Sequence, residues 1–257
     1  MKIGICGDII KAQSAIVAGY DYAEFHLTKL ANMPDDEFAA LSRERERLGI
    51  PVESFNCFCP SEIRLTAGVD RDVLSAHAEK AFSRAERLGG ELSVIGSGRS
   101  RNIPEGYEIS KARDEFMSAL TLVESIARKH GIRLALEPLR PAETNFINTM
   151  ASAAEICDAM GNENIGCVVD LFHLDQNGED MADVVKYGRH IIHTHLARRN
   201  IDRRIPTIED MDQVGPFFDA LSAIGYEGRM SLEGKYHPDF EQSISSAMQL
   251  FRALGVK

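Results

Sequence analysis

The sequence predicts an α/β fold in which eight strand–helix units close into a (β/α)8 barrel, also called a TIM barrel. Three observations support this prediction: short apolar segments alternate with segments of helical period, glycines stand at the junctions, and the alternation occurs eight times in 257 residues. Strict alternation of strand and helix implies a parallel sheet, and eight units are the expected content of such a barrel. We therefore expect residues 1–257 to form a single barrel domain.

The predicted strands follow one another at regular intervals along the chain. In order, they lie in the segments KIGIC, AGYDYAEF, LGIPVESF, LGGELSVIG, HGIRLALEP, MGNENIGCVVD, YGRHIIHTH and IGYEGRMSLE. The segments between them have helical period: within residues 106–130, Phe116, Leu120, Val123 and Ala127 share one face. The glycines fall where helices commonly end, because a left-handed residue is least costly without a side chain. A doubly wound open sheet is the alternative, but no G-x-G-x-x-G sequence follows the first strand.

The composition excludes several classes of function. The formal net charge is −10 and the pI is about 5.3, so the surface repels phosphate backbones and nucleic-acid binding is not expected. No apolar run approaches the ~18 residues of a membrane span, and the N-terminal MKIGICGDII is typical of a first strand, not of a signal peptide. Five cysteines without zinc-finger spacing indicate reduced thiols, and so a cytoplasmic protein.

Polar residues end the last four predicted strands, where a barrel of this kind has its active site. These strand ends are Glu137, Asp170, His195 and Glu233. Side chains alternate along a strand, so if these residues point inward, Ala135 and Val168 do too, while Leu134 and Val169 face the helices. Small residues inside a narrow barrel and larger aliphatic residues outside it agree with this orientation.

Three carboxylates at one level would repel one another and take up protons unless a cation lay between them. One imidazole with three carboxylates suits a divalent ion, with Mn²⁺ favoured and Mg²⁺, Co²⁺ or Zn²⁺ as alternatives. For any single acid, a salt-bridged strand end explains the residue equally well. The coincidence of all four residues predicts a metal site.

The sequences LEPLRPAETN, VVDLFHL, HTHLA and SLEGKY, in this order, resemble the xylose isomerase-like barrel family. Within it they are similar to the sugar and sugar-phosphate isomerases and epimerases, including the ketose 3-epimerases, over essentially the whole chain. The resemblance implies one divalent metal ion per chain, with the ligands Glu137, Asp170, His195 and Glu233. It further implies that His173 binds the substrate, that Glu143 supports the sugar hydroxyls and that Arg203 holds the substrate. The expected partner is a small sugar or sugar phosphate, and we expect a homodimer or homotetramer.

The segment after the seventh strand departs from the family pattern. The family often has an acid three residues after the strand-end histidine, then a Pro-Gly-x-Gly turn; here these are Arg198 and IPTIED, and aligning Arg203 requires an insertion. Five arginines lie near the strand ends: Arg140, Arg198, Arg199, Arg203 and Arg204. They have two interpretations, which the sequence leaves open. They form salt bridges on solvated loops, or they make a basic mouth that binds a phosphate or carboxylate through paired hydrogen bonds.

The predicted activity is proton transfer on a sugar through a metal-stabilised enediolate, with Glu137 and Glu233 as the acid–base pair. Two bases give epimerisation and one base gives aldose–ketose isomerisation, and the sequence does not decide between them. In the N-terminal half, we expect Glu24 to contact the substrate. One alternative is a metal-dependent hydrolase of the apurinic endonuclease type, which needs further histidines on early strands, whereas the third and fourth strands end in SFNCF and SVIGSG. The other is a sugar-binding protein or a dehydratase of the same barrel family.

Overall fold

The computed structural model describes residues 1–256 and shows a closed barrel of eight parallel strands, which confirms the predicted fold. Each strand pairs with the next one in the chain, and the first pairs with the last to close the barrel. The strands are β1 (Lys2–Cys6), β2 (Tyr22–His26), β3 (Val52–Asn56), β4 (Leu92–Ile95), β5 (Arg133–Leu136), β6 (Ile165–Asp170), β7 (Ile191–Leu196) and β8 (Arg229–Leu232). Lys257, the last residue of the predicted domain, lies outside the described residues.

Helices surround the barrel and connect its strands. They are α1 (Ile9–Val17), α2 (Leu27–Asn32), α3 (Asp35–Leu48), α4 (Arg71–Arg87), α5 (Ile109–Lys129), α6 (Met150–Met160), α7 (Leu171–Gln176), α8 (Met181–Lys186), α9 (Met211–Ala223) and α10 (Phe240–Ala253), with short 3-10 turns at Gly98–Arg101, Gly188–His190 and Ile208–Asp210. Helix α3 ends at Leu48 and is followed by Gly49, whose φ of 63° is left-handed, as the junction glycines predict. Within residues 1–256, no helix combines the length and the apolar character that crossing a membrane requires.

The apolar core forms two layers separated by the sheet. Leu134, Leu136 and Val169 belong to the large outer layer, where the strands pack against the helices. Ala135 and Val168 belong instead to a small apolar cluster with residues of β4, inside the barrel. This division confirms the predicted alternation, and it orients the polar residue at each strand end towards the barrel mouth.

The interior of the barrel differs between its two sides. The side formed by β4, β5 and β6 is filled by the small apolar cluster. The side formed by β2, β3, β7 and β8 instead contains the buried polar side chains Glu24, Ser54, His193 and Ser231, which are joined by hydrogen bonds. Buried polar groups are costly unless they are paired, so this side carries a specific network beneath the barrel mouth.

Candidate active site

Glu137, Asp170, His195 and Glu233 come together at the C-terminal end of the barrel. Each offers one ligand atom, and these atoms lie within 4.8 Å of one another. Asp170 ends β6 and pairs in register with His195 of β7, while Glu137 and Glu233 directly follow β5 and β8. We call these four residues the strand-end cluster. The four strand ends that the sequence singled out therefore meet at one point.

The His195 ring lies at the centre of the strand-end cluster. Its Nδ1 is 3.0 Å from an oxygen of Glu137 and 3.2 Å from an oxygen of Glu233. The side chains of His195 and Asp170 have no exposed surface, whereas that of Glu233 is 23% exposed. Access from solvent is therefore on the Glu233 side.

The donor set and the space around it fit a divalent cation. Three carboxylates and one imidazole supply hard oxygen ligands and one nitrogen, which suits Mn²⁺ and its neighbours. Gly96, just after β4, makes room for the carboxylate of Glu137, because a Cβ at position 96 would lie 2.3 Å from Oε2 of Glu137. No wider residue fits beside Glu137 without displacing its carboxylate.

The charges in the cluster shift one another's pKa values strongly. Burial alone would lower the pKa of His195, but Glu24 and Glu233 raise it well above its usual value. Burial alone would raise the pKa of Glu233, but His195 and Arg203 lower it to about 2. Glu233 is therefore a carboxylate at neutral pH, as a metal ligand or a base must be.

Arg203 reaches the strand-end cluster from the loop after β7. Its Nη2 donates to Asp170 at 2.7 Å and to Glu233 at 2.6 Å. Its backbone φ of 48° is left-handed, which is uncommon for a residue with a side chain. The sequence predicted Arg203 near the substrate, and the structure does bring it to these two acids.

His173 and Glu143 lie at different distances from the cluster. His173, in α7, is buried, and its Nε2 is 3.7 Å from Asp170 while its Nδ1 accepts the Arg140 N–H at 3.3 Å. Glu143 is paired with Arg140 at 2.9 Å. Within residues 1–256, it makes no hydrogen bond to the strand-end cluster. Substrate contact stays a prediction for both residues.

The arginines around the mouth have acidic partners. Arg203 contacts Asp170 and Glu233, and the other four pairs are Arg140–Glu143, Arg198–Asp210, Arg199–Asp175 and Arg204–Asp202. A guanidinium that already holds a carboxylate is less available to an anionic ligand. Of the two interpretations that the sequence left open, the salt bridges agree with the structure.

Glu24 lies beneath the cluster, inside the barrel. It has no exposed surface, and one of its oxygens accepts the Nε2–H of His195 at 2.9 Å. Burial alone would raise the pKa of Glu24, but His195 and His193 lower it well below its usual value. The structure shows this contact with the ring of His195, and substrate contact by Glu24 stays a prediction.

A cavity of about 330 Å³ lies beside the cluster at the ends of the first three strands. Cys6 and Asn56 line it on the cluster side, and Asn56 donates to Glu233 at 3.3 Å. Phe25 and Leu30 form part of its apolar wall. Ligand cavities of roughly 300–1,000 Å³ are usual for small molecules, so this one is at the small end of the range.

Two residues that support the site were missed by the sequence reasoning. Gly96 could have been noticed as a glycine that closes a predicted strand. Arg101 had no such signal: it is fully buried, and it donates to the backbone carbonyls of Ile95 at 3.1 Å and Glu137 at 2.6 Å. It thereby ties together the ends of β4 and β5, and burial lowers its pKa to about 10.

Comparisons with known proteins agree with this fold. L-ribulose 3-epimerase of Mesorhizobium japonicum is 24% identical over 256 residues, which cover 92% of this chain and 78% of that protein. With two other curated relatives, an inosose isomerase of Halalkalibacterium halodurans and a probable ketose 3-epimerase of Synechocystis, the chain spans about half of their length.

Solved structures of similar proteins superpose over nearly the whole chain. A D-psicose 3-epimerase determined in the presence of D-fructose has a TM-score of 0.84 at 18% identity, and it covers 100% of both chains. The IOLI protein with a binding zinc atom has a TM-score of 0.73 at 18% identity, covering 99% of this chain and 98% of that one. The family described as xylose isomerase-like TIM barrel matches residues 13–254. The chain belongs to the xylose isomerase-like TIM barrel family.

Proposed function

We propose that this protein is a divalent-metal-dependent isomerase or epimerase that acts on a ketose. The observation that carries the proposal is the strand-end cluster, in which Glu137 and Glu233 approach the same nitrogen of His195. Asn56, which donates to Glu233, lines the neighbouring cavity. The similarity to L-ribulose 3-epimerase and to D-psicose 3-epimerase supports a ketose as the substrate class.

Glu137, Asp170, His195 and Glu233 would together hold one divalent ion. When bound, such an ion polarises a sugar carbonyl and stabilises the negative charge that develops as a carbon-bound proton leaves. Mn²⁺ is the ion that we propose from the ligand set, and the zinc atom of the IOLI structure supports a divalent ion in a protein of this fold.

Glu137 and Glu233 would carry the proton. One of the two, as a carboxylate, removes a proton from carbon, and the other, which begins as a carboxylic acid, donates its own proton to the opposite face of that carbon, which inverts the centre. Because the strand-end cluster holds two glutamates, we propose epimerisation ahead of aldose–ketose isomerisation. Arg203 and His173 would orient the sugar oxygens, and Glu143, through Arg140, would support the wall beside them.

The substrate that we propose is an uncharged monosaccharide. The cavity of about 330 Å³ suits a small sugar. The five arginines near the mouth have carboxylate partners, so they give little support to a site for a phosphate. We also propose a homodimer or homotetramer, which size-exclusion chromatography with light scattering would test. From the five cysteines we propose a cytoplasmic location, which cell fractionation would test.

The test uses two samples of the protein, one treated with a chelator and one then loaded with Mn²⁺. Each is incubated with a panel of ketoses and their 6-phosphates, and the products are identified by chromatography. Conversion of a ketose only by the loaded protein is the expected result. Faster conversion of the phosphates would replace the proposed substrate, and no conversion of any sugar would refute the proposed function. For the nuclease alternative, β3 and β4 end at Asn56 and Ile95 instead of the further histidines that it needs.

A further inference from the structure

Glu24 is a buried acid whose contacts extend across the barrel interior. It stands in the middle of β2 and has no exposed surface. Its carboxylate accepts hydrogen bonds from four side chains on three other strands: Ser54, His193, His195 and Ser231. A charge removed from water is costly unless it is fully hydrogen-bonded. Packing alone would be satisfied by an apolar side chain at this position, so the buried carboxylate calls for another explanation.

The two oxygens of Glu24 have different partners. Oε2 accepts from Ser54, His193 and Ser231, each at 2.7 Å. Ser231 in turn lies 2.8 Å from the Tyr22 hydroxyl, which must donate because the Ser231 hydrogen is directed to Glu24. Oε1 accepts from His195, at 2.9 Å. Three donors thus fix one oxygen, and the other is held against the ring of His195.

This contact decides which nitrogen of His195 keeps its hydrogen when the ring binds a metal ion as a neutral imidazole. An ionised carboxylate can only accept, so the Nε2 that faces Glu24 carries the hydrogen. In a neutral imidazole the other nitrogen then has a free lone pair. That nitrogen is Nδ1, which faces Glu137 at 3.0 Å and Glu233 at 3.2 Å. The ring is therefore turned so that its ligand atom points into the strand-end cluster.

We propose that Glu24 is a positioning residue: it holds the His195 ring with Nε2–H towards itself and Nδ1 towards the strand-end cluster, and so sets the affinity of that cluster for a divalent ion. The inference rests on the metal site of the proposed function, but not on any particular sugar. Residues that orient a metal-bound histidine in this way typically contribute about 10–100-fold to metal affinity or activity.

The first test measures Mn²⁺ binding to the chelator-treated protein by isothermal titration calorimetry. Glu24→Gln keeps the size of the side chain and removes its charge. Glu124→Gln is the matched control, because Glu124 is also buried but lies in α5 and pairs with Arg128. We expect the Kd for Mn²⁺ to rise about 10–100-fold in Glu24→Gln and to stay within about threefold of the wild type in Glu124→Gln. An unchanged Kd in Glu24→Gln, or an equal loss in the control, would overturn the proposal.

The second test uses the wild-type protein, so it holds even if Glu24→Gln does not fold. Imidazole ¹H–¹⁵N spectra of the Zn²⁺-loaded protein should show His195 with a slowly exchanging Nε2 proton and with Nδ1 bound to the metal. A metal-bound Nε2 would overturn the proposal. Failure of the wild type to bind either ion would refute the metal site of the proposed function, whereas tight binding that is unaffected by Glu24→Gln would refute this inference alone.

Discussion

Replacing Gly96 by alanine should slow the catalysed reaction and leave the stability of the fold nearly unchanged. The added Cβ would lie 2.3 Å from Oε2 of Glu137, whereas ordinary contacts begin at 3.4 Å. The carboxylate must therefore move by about 1 Å. The next nearest atoms, at 3.6 Å in Glu137 and 3.8 Å in Val94, already lie at ordinary contact distances. Since the end of a flexible side chain can give way, we expect the backbone to keep its place.

The expected loss of reaction rate is larger than the expected change in folding stability. A displacement of about 1 Å in a reacting group can cost on the order of 100-fold in rate, which corresponds to roughly 2.7 kcal/mol of transition-state stabilisation. The folded state should change by less than about 1 kcal/mol, because an alanine at a compatible position also reduces the entropy of the unfolded chain.

Steady-state kcat/KM for a converted ketose and thermal unfolding of the same samples would measure both effects. Gly215→Ala in α9 is the control, since a Cβ there meets no atom within 4 Å. We expect Gly96→Ala to lose about 100-fold in kcat/KM with a nearly unchanged Tm, and the control to keep both. Full activity in a folded Gly96→Ala protein would refute the claim that the position of Glu137 matters for the reaction.

Three further predictions concern the two glutamates of the strand-end cluster, the buried acid Glu179 and the metal ion. Glu137→Gln and Glu233→Gln should each lower kcat by about 10²–10⁴-fold while the circular dichroism spectrum stays the same, and near-normal kcat in both would contradict their role as the acid–base pair. Burial raises the pKa of Glu179 to about 7, above the ~4.3 of an unfolded chain. Between these two pKa values the native state keeps a proton that the unfolded state loses. The stability of the wild type therefore falls as the pH rises from one value to the other. Glu179→Gln should therefore gain Tm relative to the wild type between pH 5 and pH 8; a difference that is independent of pH would contradict this. Chelation should lower the Tm and added Mn²⁺ should restore it, because an ion that binds only the native state stabilises it; a Tm that ignores Mn²⁺ would count against the metal site.

The barrel and the four residues of its strand-end cluster could be predicted because they follow from local patterns. Alternation of strand and helix fixes a parallel barrel, and parallel strands bring their C-terminal ends to one side. Glu137, Asp170, His195 and Glu233 are each the polar end of an apolar run, so no knowledge of distant contacts was needed to find them. The same reasoning gave the inward direction of Ala135.

Contacts between distant parts of the chain could not be predicted in this way. Glu24 looked like a pocket residue, yet its partner His195 is 171 positions away and approaches it only when β7 and β2 face each other across the barrel. The buried guanidinium of Arg101 likewise depends on the ends of β4 and β5 meeting above it. The arginines of the mouth left two interpretations because salt bridges such as Arg199–Asp175 join segments that are apart in the sequence, here the loop after β7 and helix α7.

Deuterium exchange into a ketose tests the central claim most directly. The Mn²⁺-loaded protein would be incubated in D2O with L-ribulose and with D-psicose, and the sugars followed by NMR. If the strand-end cluster supports proton transfer at carbon, deuterium should appear at the carbon beside the carbonyl whose configuration inverts. The label should be absent after chelation and in Glu233→Gln. Conversion of a sugar without any deuterium at carbon would contradict proton transfer by these carboxylates.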